Sequence, residues 1–138
     1  MMVRPAEVLH QDDSREFWEF ARSRKLAMQH CGACGRFRWP CGPLCPYCAS
    51  DSFSWQQLRG TGRLVGWVVY RREYLPGFPP PYAVGLVELD EGPRFTALLD
   101  IPPTKLDADL RVRVKFSRAQ NSDQLLPVFR RDDAEKSE

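Results

Sequence analysis

Cys31-Gly32-Ala33-Cys34 and Cys45-Pro46-Tyr47-Cys48 are two identically spaced brackets, and their reading decides the fold. A C-x-x-C turn places two thiolates on one side of a tight loop. Two such turns facing each other offer four sulfurs to one tetrahedral ion, with zinc–sulfur bonds of about 2.3 Å. Gly32 and Gly35 suit these turns because glycine enters the φ > 0 region without a steric penalty, letting backbone N–H groups turn toward sulfur. The spacing predicts a small ribbon held by structural Zn2+, with Cys31, Cys34, Cys45 and Cys48 as ligands. A site closed by four sulfurs has no open position for a substrate, so the motif predicts a scaffold and no catalytic residue.

Other readings of the cysteines fit less well. Five cysteines leave one over in any disulfide scheme. The chain opens without the apolar core of a signal peptide, and in a reducing cytosol this spacing binds metal more often than it bridges. A redox C-x-x-C needs a βαβ setting that the flanks do not supply. Cys41, in Trp39-Pro40-Cys41-Gly42-Pro43, reads as a small, partly buried thiol. Its exchange for Cys45 as a ligand stays open, as does iron in place of zinc, because four sulfurs alone do not select the metal. His30 precedes Cys31 but four cysteines already complete the shell. With His10 as the only other histidine, a nucleophile–histidine pair has little support.

The remainder of the 138 residues carries 20 Lys and Arg against 18 Asp and Glu, a net charge of +2 that fits one compact domain or two small ones. No apolar run approaches the ~20 residues that span a bilayer, and a cytoplasmic protein is expected. Nine of the 12 prolines cluster at Pro40–Pro46, Pro76–Pro81 and Pro102–Pro103, which argues for short strands and stiff loops against a helical bundle. Four segments follow: an arm and helix over 1–25, a ribbon over 26–58, a barrel over 59–130 and a disordered tail over 131–138.

Asp13-Ser14-Arg15-Glu16 has the pattern of a capping box, and Phe17, Trp18, Phe20 and Ala21 continue a short helix ending near Lys25. Phe17, Phe20 and Ala21 share a face by the 3.6-residue period. That face either packs on the metal knuckle or docks on another protein, since Trp and Phe are enriched at interface centres. Leu26–His30 and Phe37–Trp39 make the ribbon hairpin. Beyond Trp55 the period becomes two. Strands are predicted at Thr61–Glu73, Tyr82–Leu89, Phe95–Ile101, Leu110–Phe116 and Leu125–Arg130. In the first, Leu64, Val68 and Tyr70 alternate with Val65, Trp67 and Val69; both faces are apolar in its middle, predicting that one face covers the core and the other meets the knuckle or helix. The fold class is mainly β: a short N-terminal helix, a rubredoxin-like zinc ribbon, then a five-stranded barrel of the oligonucleotide/oligosaccharide-binding (OB) type.

Taken in order, Phe17-Trp18, Cys31-Gly-Ala-Cys34, Cys45-Pro-Tyr-Cys48, Gly60-Thr-Gly62, Pro79-Pro-Pro-Tyr82, Val87-Glu-Leu-Asp-Glu-Gly92 and Leu126-Pro-Val-Phe129 resemble the acyl-CoA-associated OB-fold proteins with a rubredoxin-like zinc ribbon, domain of unknown function 35. The resemblance covers about residues 14–130. It implies a non-catalytic accessory subunit that binds a thiolase-, aldolase- or hydratase-like enzyme of acyl-CoA metabolism and helps form its acyl-CoA site. Cys41 departs from the family pattern.

Residues expected at the partner or acyl-CoA interface are Phe17, Trp18 and Phe20 on the helix, Arg71 and Arg72, and Phe78, Pro80 and Tyr82 in the proline-rich loop. A stiff apolar loop loses little entropy on docking. The arginines suit CoA phosphates or form a plain solvated face. The alternative function is a single-stranded nucleic-acid module, resting on Arg36, Arg38 and Trp39 of the ribbon and on Arg111, Arg113, Lys115 and Arg118. Against it stand Asp90, Glu91, Asp107 and Asp109. An acyltransferase using Cys41 would need a base or cation to lower the thiol pKa, and no paired histidine is evident.

Overall fold

Phe17 and Ala21, one helical turn apart, define the buried side of helix α1 (Arg15–Arg22), whose first turn carries Glu16 and last turn Arg22 in accord with the helix dipole. The computed structural model describes residues 15–39, 41–72, 81–118 and 123–132, so the expected capping residues Asp13 and Ser14 lie outside it. The helix stops with Arg24 in the left-handed region at φ 60°. Lys25 N–H then donates to Phe20 O and Arg24 N–H to Ala21 O, the paired bonds of a Schellman termination. Arg24 Nη1 also donates to Phe116 O at 3.2 Å, tying the helix end to the barrel.

Three strands form the ribbon sheet: β1 (Ala27–Cys31) lies between β2 (Phe37–Arg38) and β3 (Phe53–Gln57), antiparallel to both. The third is an addition to the sequence reading. Phe53-Ser-Trp-Gln-Gln has only Trp55 even half-buried, so its side chains carry little periodic signal. Its place comes from the backbone ladder with β1, Ala27 opposite Gln57 through Cys31 opposite Phe53.

The chain then enters a closed barrel of β4 (Thr61–Tyr70), β5 (Tyr82–Leu89), β6 (Arg94–Leu99), β7 (Arg111–Arg118) and β8 (Leu125–Arg131), in the order β4-β5-β6-β8-β7. Only β6 and β8 run parallel. Between β6 and β7 stands a single 3₁₀ turn, Pro103–Lys105. Gly60 and Gly62 start β4 for steric reasons. Gly60 has φ +81°, and a Cβ on Gly62 would fall 2.3 Å from the carbonyl oxygen of Glu88.

A bulge at Val65 changes the expected faces of β4. Leu64 pairs with Val87 and Gly66 with Leu86, so β4 advances two residues while β5 advances one. The phase inverts there. Gly62, Leu64, Trp67 and Val69 share the inner side, opposite Leu89, Val87, Gly85 and Ala83. Val68 and Tyr70 point outward with Val84 and Tyr82. The outer side is open at Val68, which is 57% exposed.

The helix, ribbon and barrel share one core, joined at Phe95. Its ring lies 5.9 Å from Phe17, 5.0 Å from Trp39 and 6.1 Å from Phe129. Leu26 and Met28 of the ribbon and Leu64, Val87 and Val112 of the barrel belong to the same buried cluster. At the other end of the sequence the boundary moves relative to the expected tail. β8 runs through Arg131, and Asp132 is buried, its N–H bonded to Arg111 O and its carboxylate accepting from Arg113 Nε at 3.2 Å. Polar composition hid this because the burial comes from ion pairing. Residues 133–138 lie outside the described residues.

Asp90 pins the β5–β6 turn to β7. Arg111 donates to both of its oxygens at 2.9 Å, and Thr61 donates to it as well. These bonds, the Arg111 pair foremost, hold its carboxyl at about 2 against the ordinary 3.8. A depressed folded-state pKa means stability that is fully present above the unfolded value and lost as pH falls through the folded one. Asp90→Asn is therefore expected to remove about 1 kcal/mol at neutral pH, after allowance for solvent screening. It should also flatten the loss of stability between about pH 4 and pH 2. Urea midpoints across that range check it; parallel wild-type and variant curves would refute the pairing.

Candidate metal centre

Each bracket is a knuckle with the same backbone plan. In the first, Ala33 N–H and Cys34 N–H point at Cys31 Sγ at 3.4 Å, Gly35 N–H donates to Cys31 O, and Cys31 N–H returns to Arg36 O. In the second, Tyr47 N–H points at Cys45 Sγ at 3.4 Å, Ala49 N–H donates to Cys45 O, and Cys45 N–H returns to Ser50 O. The residue after each second cysteine must turn left-handed: Gly35 at φ 75° and Ala49 at φ 64°. Glycine does this freely, whereas alanine brings its Cβ against the backbone. Ala49→Gly is expected to raise stability by roughly 0.5–1 kcal/mol, and Gly35→Ala to lower it by a similar amount. Melting at fixed metal loading reads both.

The four sulfurs of Cys31, Cys34, Cys45 and Cys48 lie within 4.8 Å of one another. Cys31 Sγ stands 3.6 Å from Cys48 Sγ and Cys34 Sγ 3.7 Å from Cys45 Sγ. These separations are far beyond the ~2.05 Å of a disulfide. They match the ~3.8 Å edge of a tetrahedron with 2.3 Å metal–sulfur bonds. Cys41 is outside this group of four and is half-buried, packed against the shared core.

Electrostatics also fit a cation. The N–H groups of Cys34 and Ala33 hold the Cys31 thiol down at about 6. Burial opposes ionisation of Cys45, but the Tyr47 and Cys48 N–H groups win and lower it. For Cys48 the Ser50 backbone favours the thiolate, yet burial and the neighbouring thiols together push it up to about 11. Cys31 and Cys45 are thus poised to ionise while Cys48 resists, a conflict that a bound dication removes.

Arg38 completes the case from an unexpected side. It is 1% exposed; among the described residues its Nε and Nη2 have no hydrogen-bond partner, and its Nη1 reaches Ser50 O at 3.5 Å. That carbonyl is the one that accepts Cys45 N–H. The guanidinium also lies over Phe53 at 4.6 Å. A buried cation needs countercharge, and a dication on four thiolates carries two net negative charges. Arg38 belongs to this centre; the sequence placed it on a nucleic-acid face, and burial overturns that reading. Arg36 sits 4.6 Å over Tyr47, bracing one knuckle on the other.

The remaining expected residues divide. Phe17 is 1% exposed, with Trp18 edge-on at 5.0 Å and Trp39 at 4.6 Å, so it packs inward between ribbon and barrel and leaves the docking set. Trp18 and Phe20 are half-buried, Phe20 stacking on Trp55 at 6.3 Å. Arg71 and Arg72 are exposed. Tyr82 stacks on Tyr70 at 5.0 Å. Phe78 and Pro80 lie outside the described residues. On β7, Arg111, Arg113 and Lys115 are held by Asp90, Asp132 and Asp100, which neutralises three of the four cations of the basic strip that a nucleic-acid reading needs and leaves Arg118 exposed. Among the described residues no helix is long and apolar enough to cross a membrane.

Two family models cover this architecture: the ChsH2 rubredoxin-like zinc ribbon domain over residues 18–54 and the ChsH2 C-terminal OB-fold domain over residues 55–117. A "DUF35 domain-containing scaffold protein" of Pyrococcus furiosus is 31% identical over 93 residues, 65% of this chain and 68% of that protein. The chain belongs to the DUF35 family. A DUF35 protein of Sulfolobus solfataricus shares the fold, with a TM-score of 0.60 at 12% identity over 88% of this chain and 86% of that one. The solved "Ltp2-ChsH2(DUF35) aldolase" contains a chain with a TM-score of 0.82 and 36% identity, covering 93% of this chain and 98% of that one. A probable enoyl-CoA hydratase alpha subunit of Thermomonospora curvata is 38% identical over 130 residues, 93% of this DUF35 chain. A 3-oxo-4,17-pregnadiene-20-carboxyl-CoA hydratase alpha subunit of Mycobacterium tuberculosis is 28% identical over 116 residues, 83% of this chain. This chain spans 40% and 36% of those two subunits' lengths.

Proposed function

We propose that this DUF35 chain is a non-catalytic accessory subunit of an acyl-CoA enzyme of the aldolase or hydratase type, with structural Zn2+ in its ribbon. The observation that carries the reading is the likeness to a chain of the Ltp2-ChsH2(DUF35) aldolase over nearly its whole length. The two hydratase alpha subunits and the archaeal scaffold protein support the same class of partner. A thiolase-like partner, which the family resemblance also implies, has no such support and gives way to the aldolase or hydratase.

Chemistry favours a supporting role. Four cysteines close the metal's coordination, leaving no position for a substrate carbonyl, and the knuckle N–H groups are committed to sulfur or to knuckle carbonyls. What the chain offers instead is a rigid three-part body whose ribbon and barrel surfaces are locked together through Phe95. A partner ordered on such a body loses less entropy on closing its own site.

Co-expression with an acyl-CoA aldolase from the same genome, followed by size exclusion and an assay of acyl-CoA cleavage, tests this. The expected result is one complex peak and aldolase activity that depends on this chain. Separate elution with unchanged aldolase activity, or thioester turnover by this chain alone, would overturn it.

A further inference from the structure

We propose that the free edge of β4 from Val65 to Val69, with Arg71 and Arg72 beyond it, receives an extended, acidic-ended segment of the partner enzyme as an added strand. The inference rests on the accessory-subunit reading and names the surface that serves it.

β4 outruns its neighbour on one side. Its pairing with β7 covers only Thr61 to Arg63, and the last backbone bonds across that edge are Leu64 N–H to Leu110 O and Asp109 N–H to Leu64 O, both 2.9 Å. From Val65 onward the strand pairs with β5 alone among the described residues. Val65-Gly66-Trp67-Val68-Val69 is uncharged, free of proline and rich in β-formers. Val68 is 57% and Trp67 38% exposed. A Cβ on Gly66 would meet nothing within 4 Å. Folded proteins blunt such edges with charge, proline or a cover, because an open apolar edge recruits other strands. Beyond the bulge at Val65, no strand among the described residues pairs with this edge, and its row of backbone donors and acceptors suits an extended chain better than a helix.

Charge selects the occupant. Arg63, Arg94, Arg111, Arg113 and Lys115 each have a carboxylate on this chain. Arg71 and Arg72, exposed at the end of β4, have none among the described residues. A second copy is the poorer occupant: antiparallel pairing of two β4 edges about a two-fold would set Arg71 of each copy beside Arg63 of the other, whose neighbouring carboxylates Glu88 and Asp109 are already engaged. A partner strand with small or apolar residues beside Gly66 and Val68, and carboxylates at the arginine end, meets both demands.

The test uses the full chain in complex with its enzyme. Hydrogen exchange of the Val65–Val69 peptide is expected to slow at least about tenfold on complex formation. The double variant R71E/R72E, made at positions that support no core contact, should weaken the complex by about tenfold or more with metal content and melting unchanged. An unprotected β4 edge together with undiminished affinity would place the interface elsewhere and leave the accessory role standing. Concentration-dependent protection of this peptide without enzyme would assign the edge to a second copy. A raised KM for acyl-CoA with unchanged complex affinity would assign the arginines to CoA phosphates. Either result overturns the proposal. Failure of the complex itself to form removes the accessory role, and this edge assignment falls with it.

Discussion

Serine at Cys31 is expected to abolish tight metal retention and melt the ribbon. Cys31 is buried, its sulfur lies 3.6 Å from that of Cys48, and it receives the Ala33 and Cys34 N–H groups. Serine offers an oxygen that stays protonated at neutral pH, so the fourth thiolate is gone. Structural zinc supplies about 10–16 kcal/mol of apparent binding free energy, as much as the whole stability of a typical domain. The ribbon's own apolar contribution, centred on Leu26 and Met28, cannot replace it. Elemental analysis should show less than one bound ion per chain, and strong chelation of the wild type should reproduce the variant's circular dichroism. The barrel should lose cooperativity at the same time, because Trp39 and Phe17 then no longer close over Phe95. A fully folded, metal-free Cys31→Ser protein would refute the metal centre as a structural element.

Phe95→Ala is expected to cost about 3–5 kcal/mol, the range for deleting a buried aromatic side chain. Position matters more than size here. Phe95 is 4% exposed and meets the helix through Phe17, the ribbon through Trp39 and the barrel through Phe129. Its removal opens a cavity where three parts of the chain join. Urea unfolding should therefore show a lower midpoint and two separated transitions, the helix and ribbon loosening before the barrel. Phe95→Leu, which keeps most of the volume, should restore a single transition. A loss below about 1 kcal/mol for the alanine variant would mean that the three parts are not coupled through this ring.

The legible parts of this protein are those written in local spacing. Two C-x-x-C brackets name the ligands because a knuckle needs only six consecutive residues. The strands of the barrel announce themselves by period two, and Tyr82–Leu89 begins and ends as read. β3 was illegible because backbone pairing, which leaves no side-chain pattern, holds it beside β1. The faces of β4 were misread because one extra residue at Val65 inverts every side chain after it, and a bulge has no obligatory residue type. Asp132 looked like tail because ionic burial mimics solvation in composition.

The amino-acid order alone brought out the two cysteine brackets, the strand count of the barrel and the family, since each is written in short runs of sequence. Only the tertiary structure decided that Arg38 is buried against the Ser50 carbonyl that also takes Cys45 N–H, that Phe17 faces inward, and that β4 beyond Leu64 pairs on one side alone among the described residues. Those facts depend on which distant segments come to lie against each residue, and a side chain of either polarity takes its role from that company.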